Sequence, residues 1–491
     1  MRKARVRIPL RSVKEPRPAG CSTAIAIIGG GFTGATLAAQ LLRHCGRSLS
    51  VVLIGPGGCP GRGVAYSTQY DWHLLNVVAR DMSALDDDPE HFLRWARANY
   101  DCGVGAGSFL PRRVYGQYIA ALLRETAQSH PGRFFYKNDE AVSVEVVERG
   151  GMVQLRSGDR VVADRIVLAL GNFPPRDPDL PGRSAQGVRY ISDAWSAAAL
   201  GSVAQDREVL ILGSGLTAID QVLALRAHEF RGTIHLLSRH GFVPQPQQTT
   251  APWPAFWNDE SPRTARGLLR FVRRQVRIAH RSGADWRGVI EALRPFTPRI
   301  WQSLPTIERR RFLRHLRPYW EIHRHRVAPE INRLMDYQLR GGQTRVHAGR
   351  IIRYEEDAHG VAVTYCRRRT EEHALLFVSR VINCTGPETD CRRLDSPLIA
   401  QLVRQGLIRP DPLCLGLDVA EDGALVNHLG VPSHVLYAIG PARKGALWET
   451  TAVPEIRVQI AEFVHTFEVS QDGRSLAGPR CRVDYAPSVV E

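Results

Sequence analysis

A chain of 491 residues is long enough for two or three hydrophobic cores. It is 44% hydrophobic with no apolar run near the roughly 20 residues of a membrane-spanning helix, so it reads as globular and without a span. The formal charge of +16 is almost all arginine, since only Lys3, Lys14, Lys137 and Lys444 are lysines, and that skew, beside abundant Ala, Gly and Pro, points to coding bias more than to a nucleic-acid surface.

Nine cysteines, an odd count, show no CxxC and no metal-ligand spacing, which argues against a disulfide framework and a metal site and fits a cytoplasmic location. Residues 1–22 are basic and Pro-bearing, lack the apolar core of a secretory signal, and read as a flexible tail.

From residue 24 the chain reads "AIAIIGGGFTGATLAAQLL". An apolar strand runs into a glycine loop and a helix, and "LSVVLIG" closes a βαβ unit of about 30 residues, the context in which a glycine pattern becomes a dinucleotide fingerprint. Gly29 serves the tight turn, Gly31 the approach of a pyrophosphate, and Gly34 close helix packing. The second strand should end in an acid that holds a ribose hydroxyl, yet Gly55 stands there.

A second strand, loop, helix and strand follow in "REVLILGSGLTAIDQVLALRAHEFRGTIHLLSRHG", with Gly213, Gly215 and Ala218 as GxGxxA. Its second strand ends in Ser238, Arg239 and His240, and a basic residue there accommodates a 2′-phosphate, which selects NADPH over NADH. Three further strands end in glycine turns, "RIVLALGNFPP", "RVINCTGPETD" and "VLYAIGPARKG", as expected where a chain crosses between two dinucleotide domains.

Residues 261–339 predict a helical insertion, dense in arginine, with Phe271, Trp286, Trp301, Phe312, Tyr319 and Trp320 at helical spacing. Such aromatics read as packing more than as stacking platforms for RNA.

The blocks "GRGVAYS", "WHLLNVVARDMSALDDDPEHFLRWA", "FLPRRVYGQYIAALL", "LRPYWEIHRHRVAPEI", "GLIRPDPLCLGLDV" and "IGPARKGALWETTAVPEIRVQ" resemble FAD/NAD(P)-binding proteins of the urate hydroxylase and aspartate N-monooxygenase type, over residues 23–465. The resemblance implies an α/β protein with two Rossmann-like domains. Residues 23–200 and 375–491 would form a split FAD domain, and 201–374 an inserted NAD(P)H domain carrying the helical insertion.

By the same resemblance Gly29, Gly31, Gly34, Arg62, Gly63, Tyr66, Asn76 and Gly440 would contact FAD, while Gly213, Gly215 and Arg239 would hold NADPH. The implied activity is a monooxygenase using O2 on a small nitrogen-rich anion, first urate to 5-hydroxyisourate and second an amino-acid nitrogen. A non-oxygenating NAD(P)H oxidase or redox sensor docking on a partner or RNA is the reading from another class. A disulfide reductase needs a redox cysteine pair, and the nearest, Cys384 and Cys391, straddles a turn. The candidate substrate-site residues are Arg324, His325 and Arg326 of "HRHR", with the arginines pairing an anion, and Glu449.

Overall fold

The computed structural model describes residues 23–471 apart from 148–149, 184–186, 197–198 and 202–206. The expected tail, 1–22, lies outside the described residues.

Strand Thr23–Ile28 is buried from its second residue on, as a strand covered on both faces must be. It pairs in parallel with Leu49–Ile54 on one side and Arg165–Leu168 on the other. Phe134–Lys137 extends one edge, and Pro432–Ala438 extends the other, with Ala424–Val426 antiparallel outside it. Ile166 pairs with Leu436, so one sheet is built from chain segments 270 residues apart.

Helices Phe32–His44, Arg112–Ser129 and Val453–Gln471 pack one face, where Leu37, Leu41, Tyr115, Tyr118 and Ile460 are almost wholly buried. A three-stranded antiparallel sheet, 141–163, and helix Pro397–Arg404 cover the other.

The second sheet has seven strands, with Val209–Leu212 between Ile234–Ser238 and Arg380–Asn383, all parallel. Tyr190–Ile191 lies outside Arg380–Asn383. The second unit thus reaches from about 190 to 384, wider than the expected 201–374, and strand 380–383 belongs to it and not to the returning first unit.

The reason is a repeated device. A Cβ on Gly29 would stand 2.2 Å from the carbonyl oxygen of Ala169, and one on Gly213 would stand 2.3 Å from that of Cys384. Each glycine turn therefore seats against the end of its own crossing strand, "RIVLALG" in one unit and "RVINCTG" in the other.

Six helices, from Ala265–Arg281 to Pro329–Arg340, make up the insertion. Its aromatic residues do pack: Trp301 and Leu304 bury against Leu415 and Trp448, with Phe312 and Trp320 against them. The Trp301 indole stacks on Trp448 at 4.9 Å and donates Nε1–H to the carbonyl of Gly445 at 2.8 Å. The insertion is thereby fastened to the segment that returns to the first unit.

Candidate functional site

At the first loop the glycines divide by what stands near them. Gly29 has φ +122°, and a Cβ on Gly34 would lie 1.9 Å from the Gly29 carbonyl oxygen, so both are demanded by the protein's own packing. A Cβ on Gly31 meets only the Cα of Gly63, at 3.6 Å. Gly61 N–H donates to the Gly30 carbonyl at 2.8 Å and lays the 61–66 segment over the loop.

The helix that begins at Phe32 has no side-chain cap, and the guanidinium of exposed Arg62 makes no hydrogen bond or ion pair among the described residues. Open N–H groups, a glycine cradle and a free guanidinium fit a pyrophosphate.

The other expected contacts sit around this cradle with different parts to play. Tyr66 packs on Phe32 and Tyr115, and burial pushes its phenol to about 12. Gly440, at φ +89°, donates its N–H to Gln459 Oε1 at 2.9 Å, and a Cβ there would lie 3.1 Å from Thr33 Oγ1. Asn76 is half-buried and accepts at its carbonyl from Gln247 Nε2 at 3.3 Å, a bridge between the units.

Gly55 has a physical reason: a Cβ would stand 2.5 Å from the Gly30 nitrogen. The strand end touches the loop backbone, leaving no room for an acid. The Tyr136 hydroxyl donates to its carbonyl at 2.7 Å and holds the contact.

The second loop opens into a cavity of about 480 Å³ between the units. Gly215 has nothing within 4 Å of its would-be Cβ and heads an uncapped helix, so the cradle repeats. Arg239 is exposed at the cavity wall with no partner among the described residues. Beside it, Arg368 lies over the Phe242 ring at 5.8 Å, and Arg369 follows in a turn at φ +65°. Burial, then Arg368, Arg239 and Arg369, push the His240 pKa down. Of these three arginines the sequence singles out only Arg239; the other two come from a hairpin distant in sequence, in a chain where arginine runs carry little signal.

The "HRHR" cluster is distributed differently from the expectation. His325 lines the cavity, and burial lowers its pKa. Arg324 does not line it: its guanidinium spans both oxygens of Glu449 at 3.0 Å and reaches Glu455 at 3.3 Å, while Arg294 holds Glu455 at 2.7 Å. Burial pushes the Glu455 carboxyl up, but Arg294 and Arg324 outweigh it and hold the pKa below the ordinary value. Arg326 is 2% exposed, pairs with Glu291 inside the insertion, and is lowered by burial and Arg287 to about 10. The two arginines expected to meet a substrate anion therefore serve carboxylates of the chain, and Glu449 serves Arg324.

Charged groups missed at the sequence level stand on the cavity wall: Arg317, Glu321 and Lys444. Arg317 Nε donates to Glu321 Oε1 at 3.3 Å, and His325 Nδ1 is 3.8 Å from the other oxygen. Lys444 and Thr451 enclose a γ-turn in which Glu449 N–H donates to the Leu447 carbonyl at 2.8 Å. At its centre Trp448 has φ +65° and ψ −59°, a strained conformation for a bulky residue.

Between the units, Arg112 grips Asp220 through two bonds of 2.7 and 3.3 Å, and His73 Nε2 is 2.9 Å from the Asp220 carbonyl oxygen.

Residues 26–173 match a protein-family model described as FAD-NAD(P)-binding. No curated protein matches the chain. Among solved structures, L-lysine 6-monooxygenase from Pseudomonas syringae aligns with a TM-score of 0.62 at 16% identity, over 91% of this chain and 99% of that one. The ornithine N-hydroxylase of Kutzneria sp. 744, described with reduced FAD, NADP+ and L-ornithine, gives 0.62 at 12% identity over 91% and 99%. The FAD-bound cadaverine monooxygenase of Erwinia amylovora gives 0.60 at 14% identity over 95% and 99%. Residues 26–173 thus carry an FAD-NAD(P)-binding signature, within a two-Rossmann α/β fold of the kind found in flavoprotein monooxygenases.

Proposed function

We propose that this protein is an FAD- and NADPH-dependent monooxygenase that hydroxylates the nitrogen of a small amine, with amino acids as the substrate class. The observation that carries the reading is the single cleft that the second glycine loop, with Arg239, shares with the 440–451 segment seated on the first glycine helix. A nicotinamide held by the one and a flavin held by the other would meet there. When bound, FAD supplies hydride acceptance from NADPH and transfer of one oxygen atom from O2.

The chain's own residues bind, orient and dry that space. Gly31, Gly63 and Arg62 hold one pyrophosphate; Gly215 and Arg239 hold the other nucleotide. Trp448, 5% exposed, and its stacked partner Trp301 pack behind Leu415, whose apolar side chain lines the cleft. An amine must lose its proton to present a lone pair. His325, whose pKa burial lowers, is the cavity group placed to take it.

Urate, the first expectation, loses its support in the geometry, because Arg324 and Arg326 are committed to Glu449, Glu455 and Glu291. The solved neighbours named for lysine, ornithine and cadaverine support the nitrogen reading. A disulfide reductase is disfavoured by the cysteines: Cys384 and Cys391 are both free and buried, and burial raises both thiols.

The test is NADPH consumption by the FAD-loaded protein against L-ornithine, L-lysine, L-aspartate, cadaverine and urate, with hydroxylamine read by iodine oxidation. Hydroxylamine from an amine supports the assignment. Product from urate alone, or NADPH converted to H2O2 with every compound, removes it and leaves the hydroxylase or oxidase readings.

A further inference from the structure

Lys444 is one of four lysines in a chain whose other basic residues, histidine aside, are all arginine. It opens a short helical turn, Lys444–Leu447, four residues after Gly440, where the chain touches the first glycine helix at Thr33. It is half-buried in the cavity wall. Its Nζ makes no hydrogen bond and no ion pair among the described residues, and it lies over the Trp448 ring, 5.0 Å away.

The surrounding carboxylates are already engaged. Glu321 receives Arg317 and faces His325, and Glu449 is spanned by Arg324. This end of the cleft therefore holds two cations, Arg317 and Lys444, against one carboxylate, Glu321. A desolvated ammonium without a counter-charge is costly. Burial lowers the Lys444 pKa, with Glu321 opposing, Arg317 adding to the shift and Glu449, itself held by Arg324, opposing more weakly. The strained turn at Trp448, held by the Trp301 stack, keeps the lysine's ring partner fixed beneath it.

We propose that the Lys444 ammonium is the carboxylate-binding group of the substrate site, so that the amine taken by this protein is an amino acid and not a diamine. This rests on the nitrogen-hydroxylating reading only for the amine end of the ligand. The carboxylate end follows from the unmatched charge. A compact point charge suits a single carboxylate approaching beside a nicotinamide, where a guanidinium fork would need more width.

The experiment is calorimetric titration of the FAD-loaded protein, with NADP+ present, against three matched pairs: L-ornithine and putrescine, L-lysine and cadaverine, L-aspartate and β-alanine. Each pair differs by the α-carboxylate. In the wild type at least one amino acid binds about tenfold or more tightly than its counterpart, the scale of one charge-assisted contact. Lys444→Gln abolishes that preference, and Lys444→Arg, which keeps the charge, retains part of it. FAD absorbance and melting temperature show that both variants fold.

No preference in any pair overturns the proposal, as does a preference that survives in Lys444→Gln. A variant that loses NADPH affinity while keeping the preference also overturns it and makes Lys444 a phosphate contact. Hydroxylamine is read on the same samples. Lys444-dependent preference without hydroxylamine sinks the reaction and leaves the carboxylate site. Equal hydroxylation of both members of a pair does the reverse.

Discussion

Gly31 and Gly34 stand three residues apart in one loop and answer to different demands. Gly34 has no room for a methyl group, at 1.9 Å from a carbonyl oxygen, while Gly31 has room in the protein itself. Gly34→Ala should therefore cost fold stability, read as lost soluble yield and a lower melting temperature. Gly31→Val should keep the melting temperature of the apoprotein and lose FAD, read as the visible absorbance of the purified protein. A Gly31→Val protein that keeps full FAD would show that no pyrophosphate lies against this loop. Arg239 likewise presents a free, exposed guanidinium at the cavity wall. Arg239→Ala should weaken NADPH by about 10- to 100-fold, the value of charge-assisted hydrogen bonds, and leave NADH little changed. An unchanged preference in steady-state kinetics would remove it from the nucleotide site.

At the scale of elements, the Arg294, Arg324, Glu449 and Glu455 cluster fastens the helical insertion to the returning first unit. The Arg324 and Glu449 side chains are only 10% and 8% exposed, so removing Glu449 leaves Arg324 and Arg294 sharing the single carboxylate of Glu455 away from solvent. Glu449→Ala should cost about 3 to 5 kcal/mol in denaturant unfolding, and a loss under 1 kcal/mol would contradict the account.

The second sheet carries a different sensitivity. His347, half-buried and 2.9 Å from His235, is lowered by burial, then by His235, Arg345 and Arg367, to about 4. The unfolded histidine binds a proton near 6.5 and the folded one does not. Stability is therefore full above that pH and falls as pH drops from about 6.5 toward about 4. Melting temperature should decline across this window in the wild type and less steeply in His347→Gln.

In the whole molecule, the two glycine units and the helical insertion were legible because each rests on local pattern: strand, loop, helix, strand, then apolar residues at helical spacing. The unit boundary near 380–384 was not, since "RVIN" carries no mark of which sheet it joins. Only its parallel pairing with Val209–Leu212 decides that. Nor was the fate of "HRHR". All four of its residues are charged or titratable, but whether Arg324 and Arg326 face a cavity or a carboxylate depends on Glu291, Glu449 and Glu455, 35 to 131 residues away. Lys444 did leave a trace, as a lysine where this chain otherwise writes arginine. The same long-range logic governs the Arg112 and Asp220 grip between units.

On the proposed function, the shared cleft would bring nicotinamide, flavin and an amine together for oxygen transfer. This is tested most directly by mass spectrometry of products formed under isotopically labelled O2, with NADPH and an amino acid. One labelled oxygen atom on the substrate nitrogen, with NADPH consumed in step, is the expected result. Label found only in H2O2, or on carbon, would contradict it.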